Sequence, residues 1–189
     1  MKRSSGPDNR DRAAGKRALT LNMIIFCDLR HVVTDGRPMG PTHRAMADSA
    51  HEAAAKGHVD ALRVLVKQCG REALMAAAAN GWTPAHWAAD NGHVDVLRFL
   101  AEQCGSEALM AADANGYTPA HLAALNGHLD VLRFLAEQCG SEALTAAGTD
   151  GWTPAHWAAN SGHVDALRFL VDQCGSEALT AAAALHEAR

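Results

Sequence analysis

The chain has 189 residues, of which 48% are hydrophobic, 20% charged and 5% aromatic. These proportions are typical of one globular domain of ordinary size, and they exclude collagen-like, coiled-coil and wholly disordered chains. The longest apolar run of bulky residues, around Met23 to Cys27, is far shorter than the roughly 20 residues that a helix needs to span a bilayer. We therefore expect no membrane insertion.

Charge is distributed unevenly along the chain. Residues 1–45 carry nine Lys and Arg against four Asp and Glu, whereas residues 46–185 carry seven against sixteen. Nucleic-acid affinity comes mainly from cations that neutralise phosphates. An acidic body is therefore expected to bind no nucleic acid and to suit a basic protein partner.

Residues 1–45 form the first predicted region, a basic and partly disordered segment. Residues 1–17 are polar and basic, a composition that predicts disorder, and residues 18–34 are predicted to pack as a cap. The segment is a poor secretory signal, because Asn22 interrupts the apolar run and no small-residue cleavage site follows. Three alternatives remain for the basic residues, namely a solvated leader, a nuclear-import or anionic-surface signal, and docking onto the acidic groove. The second of these uses Lys2, Arg3, Lys16 and Arg17.

A repeat with a period of 35 residues occupies most of the chain. The recurring dipeptides are Gly57-His58, Gly92-His93, Gly127-His128 and Gly162-His163. They define four units, 46–80, 81–115, 116–150 and 151–185, followed by a tail, 186–189. The second and third units are identical at 27 of 35 positions. A fixed period of this size indicates a stacked array of structural units.

Each unit is predicted to contain two helices joined by a turn. Thr83 and Pro84 begin the first helix, because Pro in the first turn of a helix loses no hydrogen bond. Gly92 ends that helix. The second helix begins near His93 and ends near Cys104, and its apolar residues on more than one side indicate that it lies between neighbours.

Two further features of the unit concern its surface and its boundary. Asp95 and Arg98 lie three residues apart on the polar stripe of the second helix, where we expect them to pair. Dipeptides that tolerate positive φ predict a hairpin-like loop at each boundary. They are Asn80-Gly81, Asn115-Gly116 and Asp150-Gly151.

Residues 81–93, Gly-Trp-Thr-Pro-Ala-His-Trp-Ala-Ala-Asp-Asn-Gly-His, resemble the ankyrin repeat with its Thr-Pro-Leu-His signature. Three units keep Thr-Pro-Ala-His in one register, and the resemblance covers residues 46–185. It implies an all-α fold, an ankyrin-repeat solenoid of stacked helix-turn-helix units with hairpin-like connecting loops. It also implies structural roles for Thr83, Pro84, His86, Gly92, His93, Thr118, Pro119, His121, Gly127, His128, Thr153, Pro154, His156, Gly162 and His163.

The sequence departs from the family pattern in two ways. Its period is 35 residues, whereas the family's is usually 33, and Ala replaces the Leu of the signature. The extra length follows the second helix, at Gly-Ser-Glu-Ala-Leu of residues 105–109. Ser106 before Glu-Ala-Leu predicts an added helical turn there.

The first and last units differ from the middle two. The first has Asp48-Ser49-Ala50-His51 in place of Thr-Pro-Ala-His, and it carries the polar residues Glu52 and Lys56. An end unit has one face without a neighbour and is expected to be more polar there, so we predict a capping repeat. The last unit is nearly apolar over Ala181–Leu185, which leaves two alternatives: the terminus folds back, or the array continued.

Four cysteines recur at one position of the unit as Cys69, Cys104, Cys139 and Cys174. Packed helices lie roughly 8–10 Å apart, farther than the roughly 7 Å that separates the Cα atoms of a disulfide. Equivalent cysteines are therefore expected neither to pair nor to share a zinc ion. We predict small buried residues in a reducing compartment, the cytoplasm, with the nucleus as the alternative.

Eight of the eleven histidines occupy two repeated positions. They are His51, His86, His121, His156, His58, His93, His128 and His163. A residue needed at every joint is structural, whereas a catalytic residue is needed once. The resemblance implies that these imidazoles hydrogen-bond backbone groups within and between units. No nucleophile-and-base arrangement, phosphate-binding loop or metal-spaced cluster occurs in the sequence, so we predict no catalysis, no cofactor and no metal.

The resemblance also points to positions that vary between repeats and line the concave face of the family. The candidate partner-binding residues at these positions are Trp82, Trp87, Asp90, Tyr117, Leu122, Leu125, Trp152, Trp157 and Asn160. Either the aromatic residues pack on neighbouring loops, or they form a binding stripe edged by carboxylates, since Trp and Tyr dominate interface hot spots.

We therefore predict a monomeric, non-catalytic module that binds a protein partner, basic in character, on its concave face. Two alternatives are an assembly unit that stacks through the apolar last repeat and a targeting arm of a larger complex. A family resemblance indicates how such a module binds, and it does not identify the partner.

Overall fold

Ten α-helices and one 3-10 turn make up residues 43–175, the part of the chain that the computed structural model describes. The helices are α1 (His43–Ala55), α2 (Val59–Cys69), α3 (Pro84–Asp90), α4 (Val94–Cys104), α5 (Glu107–Met110), α6 (Pro119–Leu125), α7 (Leu129–Cys139), α8 (Glu142–Thr145), α9 (Pro154–Asn160) and α10 (Val164–Cys174), and the 3-10 turn is Arg71–Leu74. The predictions for the basic N-terminal segment, its cap and Ala181–Leu185 lie outside the described residues.

The first helix of each complete repeat begins at the Thr-Pro pair, as predicted. Thr83 is the N-cap residue in an extended conformation, Pro84 is the first helical residue, and His86 completes a capping box with Thr83. Asn91 caps the other end, and Gly92 follows with a φ of 76°. The same arrangement begins and ends α6 and α9.

The second helices lie between neighbours, which confirms the prediction from their apolar pattern. In α4, Val96, Leu97 and Leu100 have no exposed surface and Phe99 is 4% exposed. Burying one such side chain contributes about 1.5–3 kcal/mol relative to leaving it exposed. Gly105 ends this helix with a φ of 82°.

The added helical turn predicted after the second helix is present in three repeats. It forms α5 and α8 and, in the first repeat, the 3-10 turn. Ala108 and Leu109 of α5 are 3% and 1% exposed. The two residues by which this repeat exceeds the usual period therefore extend the core.

The first repeat begins differently from the others. Helix α1 has 13 residues, whereas α3, α6 and α9 have 7 each. The first repeat has no Thr-Pro pair at the position where the other first helices begin, so α1 begins earlier. Glu52 on this helix and Lys56, which follows its last residue, are exposed and form an ion pair of 2.5 Å.

Side-chain size determines how closely neighbouring repeats approach. The first helices α3, α6 and α9 present Ala residues that are fully buried, and they contact each other much more extensively than the second helices do. The second helices carry Leu, Phe and Val, and they contact each other less extensively.

The boundary loops are hairpin-like, as predicted, and they connect neighbouring repeats. Within one loop, the Ala78 N–H donates to the Trp82 carbonyl at 2.8 Å. Between loops, the Ala114 N–H donates to the Asn80 carbonyl at 3.2 Å and the Thr149 N–H to the Asn115 carbonyl at 2.9 Å. The described residues therefore form an all-helical solenoid of stacked helix-turn-helix units, which confirms the predicted fold class.

Two predictions about the second helices are wrong. Arg98 does not pair with Asp95 within the described residues; its guanidinium carbon lies 5.2 Å from the Phe134 ring centroid of the next repeat. The recurring cysteines are half-buried rather than buried. They end the second helices, where the sulfur atoms of Cys104, Cys139 and Cys174 lie 3.9, 3.9 and 4.0 Å from backbone carbonyls of the preceding repeat. Burial raises the pKa of these three thiols.

Candidate functional site

The second repeat brings two of the predicted aromatic residues into contact. The ring centroids of Trp82 and Trp87 lie 4.8 Å apart, and their planes meet at 68°. The indole Nε1–H of Trp82 donates to Asp113 Oδ2 of the next loop at 3.2 Å. Both rings are half-buried, so each keeps part of its surface at the solvent.

Three aromatic rings meet between the third and fourth repeats. Trp157 lies 5.1 Å from Tyr117 at 86° and 5.7 Å from Trp152 at 71°, measured between ring centroids and planes. Such edge-to-face pairs contribute about 0.5–1.5 kcal/mol beyond their buried area. This cluster shows that Tyr117, Trp152 and Trp157 form one half-buried aromatic surface.

A carboxylate fixes the position of the Tyr117 ring. The Tyr117 hydroxyl donates to Asp150 Oδ2 at 2.6 Å, and this bond, reinforced by burial, raises the pKa of Tyr117 to about 12. Gly148 makes room for the ring, because a Cβ there would overlap Cε1 and lie 2.8 Å from Cδ1 of Tyr117. The equivalent positions of the other loops are Ala78 and Asp113.

Two indole N–H groups of the site are buried without a hydrogen-bond partner among the described residues. They belong to Trp87 and Trp157, which occupy the same position of α3 and α9. An unpaired buried donor carries a desolvation cost of about 1–3 kcal/mol. Neither indole N–H makes a hydrogen bond within the described residues, and Leu122, at the equivalent position of α6, carries no side-chain donor.

The remaining predicted residues lie along the C-terminal turns of the first helices. Asp90 and Leu125 are half-buried and Asn160 is exposed. Asn126 Nδ2 donates to Asp90 Oδ1 at 2.8 Å, so the Asp90 side chain is held by the next repeat. Leu122 differs from the other eight because only 7% of its surface is exposed; its side chain belongs to the core of the array.

The histidines of the capping boxes connect each repeat to the next. His86 Nδ1 accepts from the Thr83 N–H at 3.1 Å, so the ring proton lies on Nε2, which donates to the Tyr117 carbonyl at 3.0 Å. His121 repeats the pattern with the Trp152 carbonyl. Burial lowers the pKa of both imidazoles.

The second histidine position also links repeats. His93 Nε2 lies 3.1 Å from the Ala55 carbonyl oxygen, and His128 Nε2 lies 3.0 Å from that of Asp90. These rings lie over the glycines of the preceding repeat, since a Cβ at Gly92 would come within 2.8 Å of His128 Nδ1. Both histidine positions therefore act as inter-repeat connectors, as the family resemblance implied.

Sequence reasoning missed several residues that position the site. Asp113 and Asp150 bond to aromatic side chains, Gly148 leaves space for a ring, and Asn126 orients a carboxylate. The available signal was the occurrence of Asp at the loop positions of two units. Their partners could not be identified, because the bonded residues lie 31 to 36 positions apart in the sequence.

Within residues 43–175, no group of three or more His, Cys, Asp and Glu side chains is arranged to hold a metal ion. None of the helices in that range is both long and apolar enough to cross a bilayer.

The comparison with protein families agrees with this architecture. A family model described as ankyrin repeats in three copies matches residues 50–147, and one described as an ankyrin repeat matches residues 150–183. No curated protein matches the chain. Ankyrin repeats are generally protein–protein interaction modules and typically do not catalyse reactions. The chain belongs to the ankyrin-repeat family.

Proposed function

We propose that the chain is a non-catalytic module that binds one protein partner on the concave face of its ankyrin array. The observation that carries this proposal is the convergence of the variable aromatic positions. Trp82 and Trp87 form one half-exposed surface, and Tyr117, Trp152 and Trp157 form another. Half-exposed aromatic rings on a rigid support are the side chains that dominate interface hot spots.

Rigidity supports the proposal, because a partner then binds a surface that is already ordered. The Trp82 and Tyr117 side chains are fixed by hydrogen bonds to the loop of the following repeat. Ordering a large side chain on binding costs about 0.5–1.5 kcal/mol. Because these two rings are already ordered in the free chain, binding a partner requires little of this ordering free energy for them.

Charge favours a basic partner. Residues 46–185 carry sixteen Asp and Glu against seven Lys and Arg, and complementary charge accelerates encounter between proteins. We propose a monomer in a reducing compartment, the cytoplasm or the nucleus, as the setting, since the four described cysteines are free thiols and such thiols persist where disulfides are rare.

A peptide selection tests the proposal. Random peptides displayed on phage are selected on the full chain, and the enriched peptides are titrated by fluorescence polarisation. The variant Trp87→Leu/Trp157→Leu copies the residue that α6 carries at this position, Leu122, and so retains apolar packing. We expect it to bind about thirtyfold more weakly, which corresponds to the about 2 kcal/mol typical of a hot spot.

The control is Val164→Ala, which changes the first residue of α10, a side chain that is 60% exposed. It is expected to bind like the wild type, and all variants should keep their circular dichroism spectra. A selection that enriches no peptide on the wild-type array, or a double variant that binds the peptides undiminished, contradicts the proposal.

A second candidate function is assembly through the last repeat. Phe169 on α10 is half-buried, whereas the equivalent Phe99 and Phe134 are each 4% exposed. Light scattering over a wide range of protein concentration separates the two functions. A mass that rises with concentration supports assembly, and a constant monomer mass supports the partner-binding module.

A further inference from the structure

Three variable positions differ in chemistry from repeat to repeat. Only the second repeat combines two indoles with a carboxylate. The equivalent trios are Trp82, Trp87 and Asp90 in the second repeat, Tyr117, Leu122 and Leu125 in the third, and Trp152, Trp157 and Asn160 in the fourth. At these three positions, the second repeat is therefore the one that combines aromatic rings with a negative charge.

The two rings of the second repeat form a corner. Their planes meet at 68° with centroids 4.8 Å apart, so an atom placed in the corner contacts both rings. A cation over an indole face is attracted by the negative potential of the ring. The bond from Trp82 Nε1 to Asp113 holds one wall of the corner in place.

Asp90 lies one helical turn beyond Trp87 on α3. Side chains three residues apart on a helix are neighbours, with about 5–6 Å between their Cβ atoms. Asp90 Oδ1 accepts from Asn126 at 2.8 Å, and the Asp90 carbonyl accepts from His128 at 3.0 Å. The second carboxylate oxygen, Oδ2, makes no hydrogen bond or ion pair with any described residue, and it is the acceptor that remains for a ligand.

We propose that Trp82, Trp87 and Asp90 form a receptor for one aliphatic ammonium group, the side chain of a lysine in the protein partner. The inference deepens the proposed function and rests on it for the source of that lysine. The rings attract the charge and its adjoining methylenes, and Asp90 Oδ2 accepts an N–H from the ammonium.

The shape of the corner favours an ammonium over a guanidinium. A guanidinium is planar and stacks on a single aromatic face. The chain shows this pairing elsewhere, where Arg63 lies 5.2 Å from the centroid of the Phe99 ring. An ammonium is compact and close to spherical, so it can contact two walls that meet at a steep angle.

The fourth repeat supplies an internal control. Its rings also form a corner, with centroids 5.7 Å apart and planes at 71°. However, Asn160 places a neutral amide where the second repeat has a carboxylate, and the Tyr117 ring also contacts Trp157. The inference predicts that this corner binds an ammonium more weakly than the corner of Trp82 and Trp87, which is called the first corner below.

Indole N–H resonances provide a test that reports on each corner separately. The chain has four Trp residues, and therefore four indole cross-peaks in an ¹H–¹⁵N spectrum of the full chain. The probe is n-butylammonium chloride, compared with 1-butanol in sodium chloride of equal ionic strength. We expect the ammonium to shift the Trp82 and Trp87 cross-peaks in a saturable way at concentrations where butanol does not.

Two substitutions exchange the chemistry of the corners. Asp90→Asn is expected to weaken ammonium binding at the first corner about fivefold. Asn160→Asp is expected to make the Trp152 and Trp157 cross-peaks respond at lower butylammonium concentrations than in the wild type. The remaining cross-peaks should stay in place, which shows that both variants keep the fold. Equal responses to butanol and butylammonium, or an unchanged affinity in Asp90→Asn, would overturn the inference.

A second measurement separates this inference from the proposed function. Each lysine of the selected peptides is replaced in turn by norleucine, which keeps the methylenes and removes the charge. If no replacement weakens binding to the wild type, the lysine receptor is wrong while the protein-binding module stands. If butylammonium binds the first corner but no peptide is ever enriched, the receptor stands and the proposed function is wrong.

Discussion

His86 shows how one side chain can serve both a helix end and a repeat interface. Its Nδ1 accepts from the backbone N–H of Thr83, and its Nε2–H donates to a carbonyl of the next repeat. The first bond requires a neutral ring, because a proton on Nδ1 would face the N–H from which Nδ1 now accepts. His121 has the same requirement one repeat later.

Acidification should therefore destabilise the array. Burial lowers the pKa of His86 and His121 below the ordinary value, so the unfolded chain binds protons more readily than the folded chain. Their stabilising contribution is complete above about pH 6.5 and falls as the pH drops through that value toward the lowered pKa. We expect the free energy of unfolding in urea to be lower at pH 5.5 than at pH 7.5, by on the order of 1 kcal/mol.

The variant His86→Gln/His121→Gln is the control for this pH dependence. It should be less stable at both pH values and should lose part of the difference between them. A difference as large in the variant as in the wild type would show that other groups cause the effect.

Tyr117 offers a direct measurement at the same scale, because it is the only tyrosine of the chain. Its hydroxyl donates to Asp150, and ionisation would place a phenolate beside that carboxylate. The tyrosinate absorbance should therefore titrate with a pKa of about 12. In Asp150→Asn it should titrate nearer the ordinary value of about 10, and circular dichroism checks that the fold persists at alkaline pH. An unchanged titration in the variant would contradict the assigned bond.

Among the elements, the added helical turn distinguishes this array from the usual repeat. Helix α5 has four residues and no side-chain cap, so its own hydrogen bonds do not account for its stability. Leu109 is 1% exposed and Met110 is 38% exposed. Packing of one face against the second helix holds the turn in place.

A pair of neighbouring substitutions tests this account of α5. Leu109→Ala removes a fully buried side chain, and we expect it to lower the free energy of unfolding by about 2–5 kcal/mol. Met110→Ala changes the exposed face and should cost no more than about 0.5 kcal/mol. Urea unfolding followed by circular dichroism measures both. Similar costs for the two variants would mean that α5 does not contribute to the core.

At the scale of the molecule, stability depends on contacts between successive repeats. Each repeat buries its helices only by stacking on neighbours. A change at the contact between two repeats, here called a joint, therefore destabilises both repeats. The glycines after the first helices lie at these joints. A Cβ at Gly127 would come within 2.6 Å of His163 Nδ1 in the next repeat.

Two glycine substitutions isolate the contribution of a joint. Gly127 and Gly162 have nearly equal φ values, +72° and +74°, but nothing among the described residues lies within 4 Å of a Cβ at Gly162. Alanine therefore causes similar backbone strain at both positions and a clash only at Gly127. We expect Gly127→Ala to cost about 1–3 kcal/mol more than Gly162→Ala in thermal unfolding. Equal costs would show that the histidine moves aside freely.

The sequence by itself determined the features that depend on neighbours along the chain. Thr-Pro pairs begin the first helices, glycines end them, and Ser106 begins the added turn, because caps and turns are local preferences of the backbone. The 35-residue period predicted the stacking of these pieces. The resemblance to the ankyrin repeat indicated the nine candidate binding positions, although it did not predict that Leu122 lies in the core.

Only the tertiary structure decided which side chains from distant positions of the sequence come into contact. Arg98 lies over Phe134 and not beside Asp95, and Tyr117 bonds to Asp150. Asn126 orients Asp90 from the next repeat. These partners are 33 to 36 residues apart in the sequence, where helix periodicity carries no information. The packing of side chains throughout the core determines which of them come within reach.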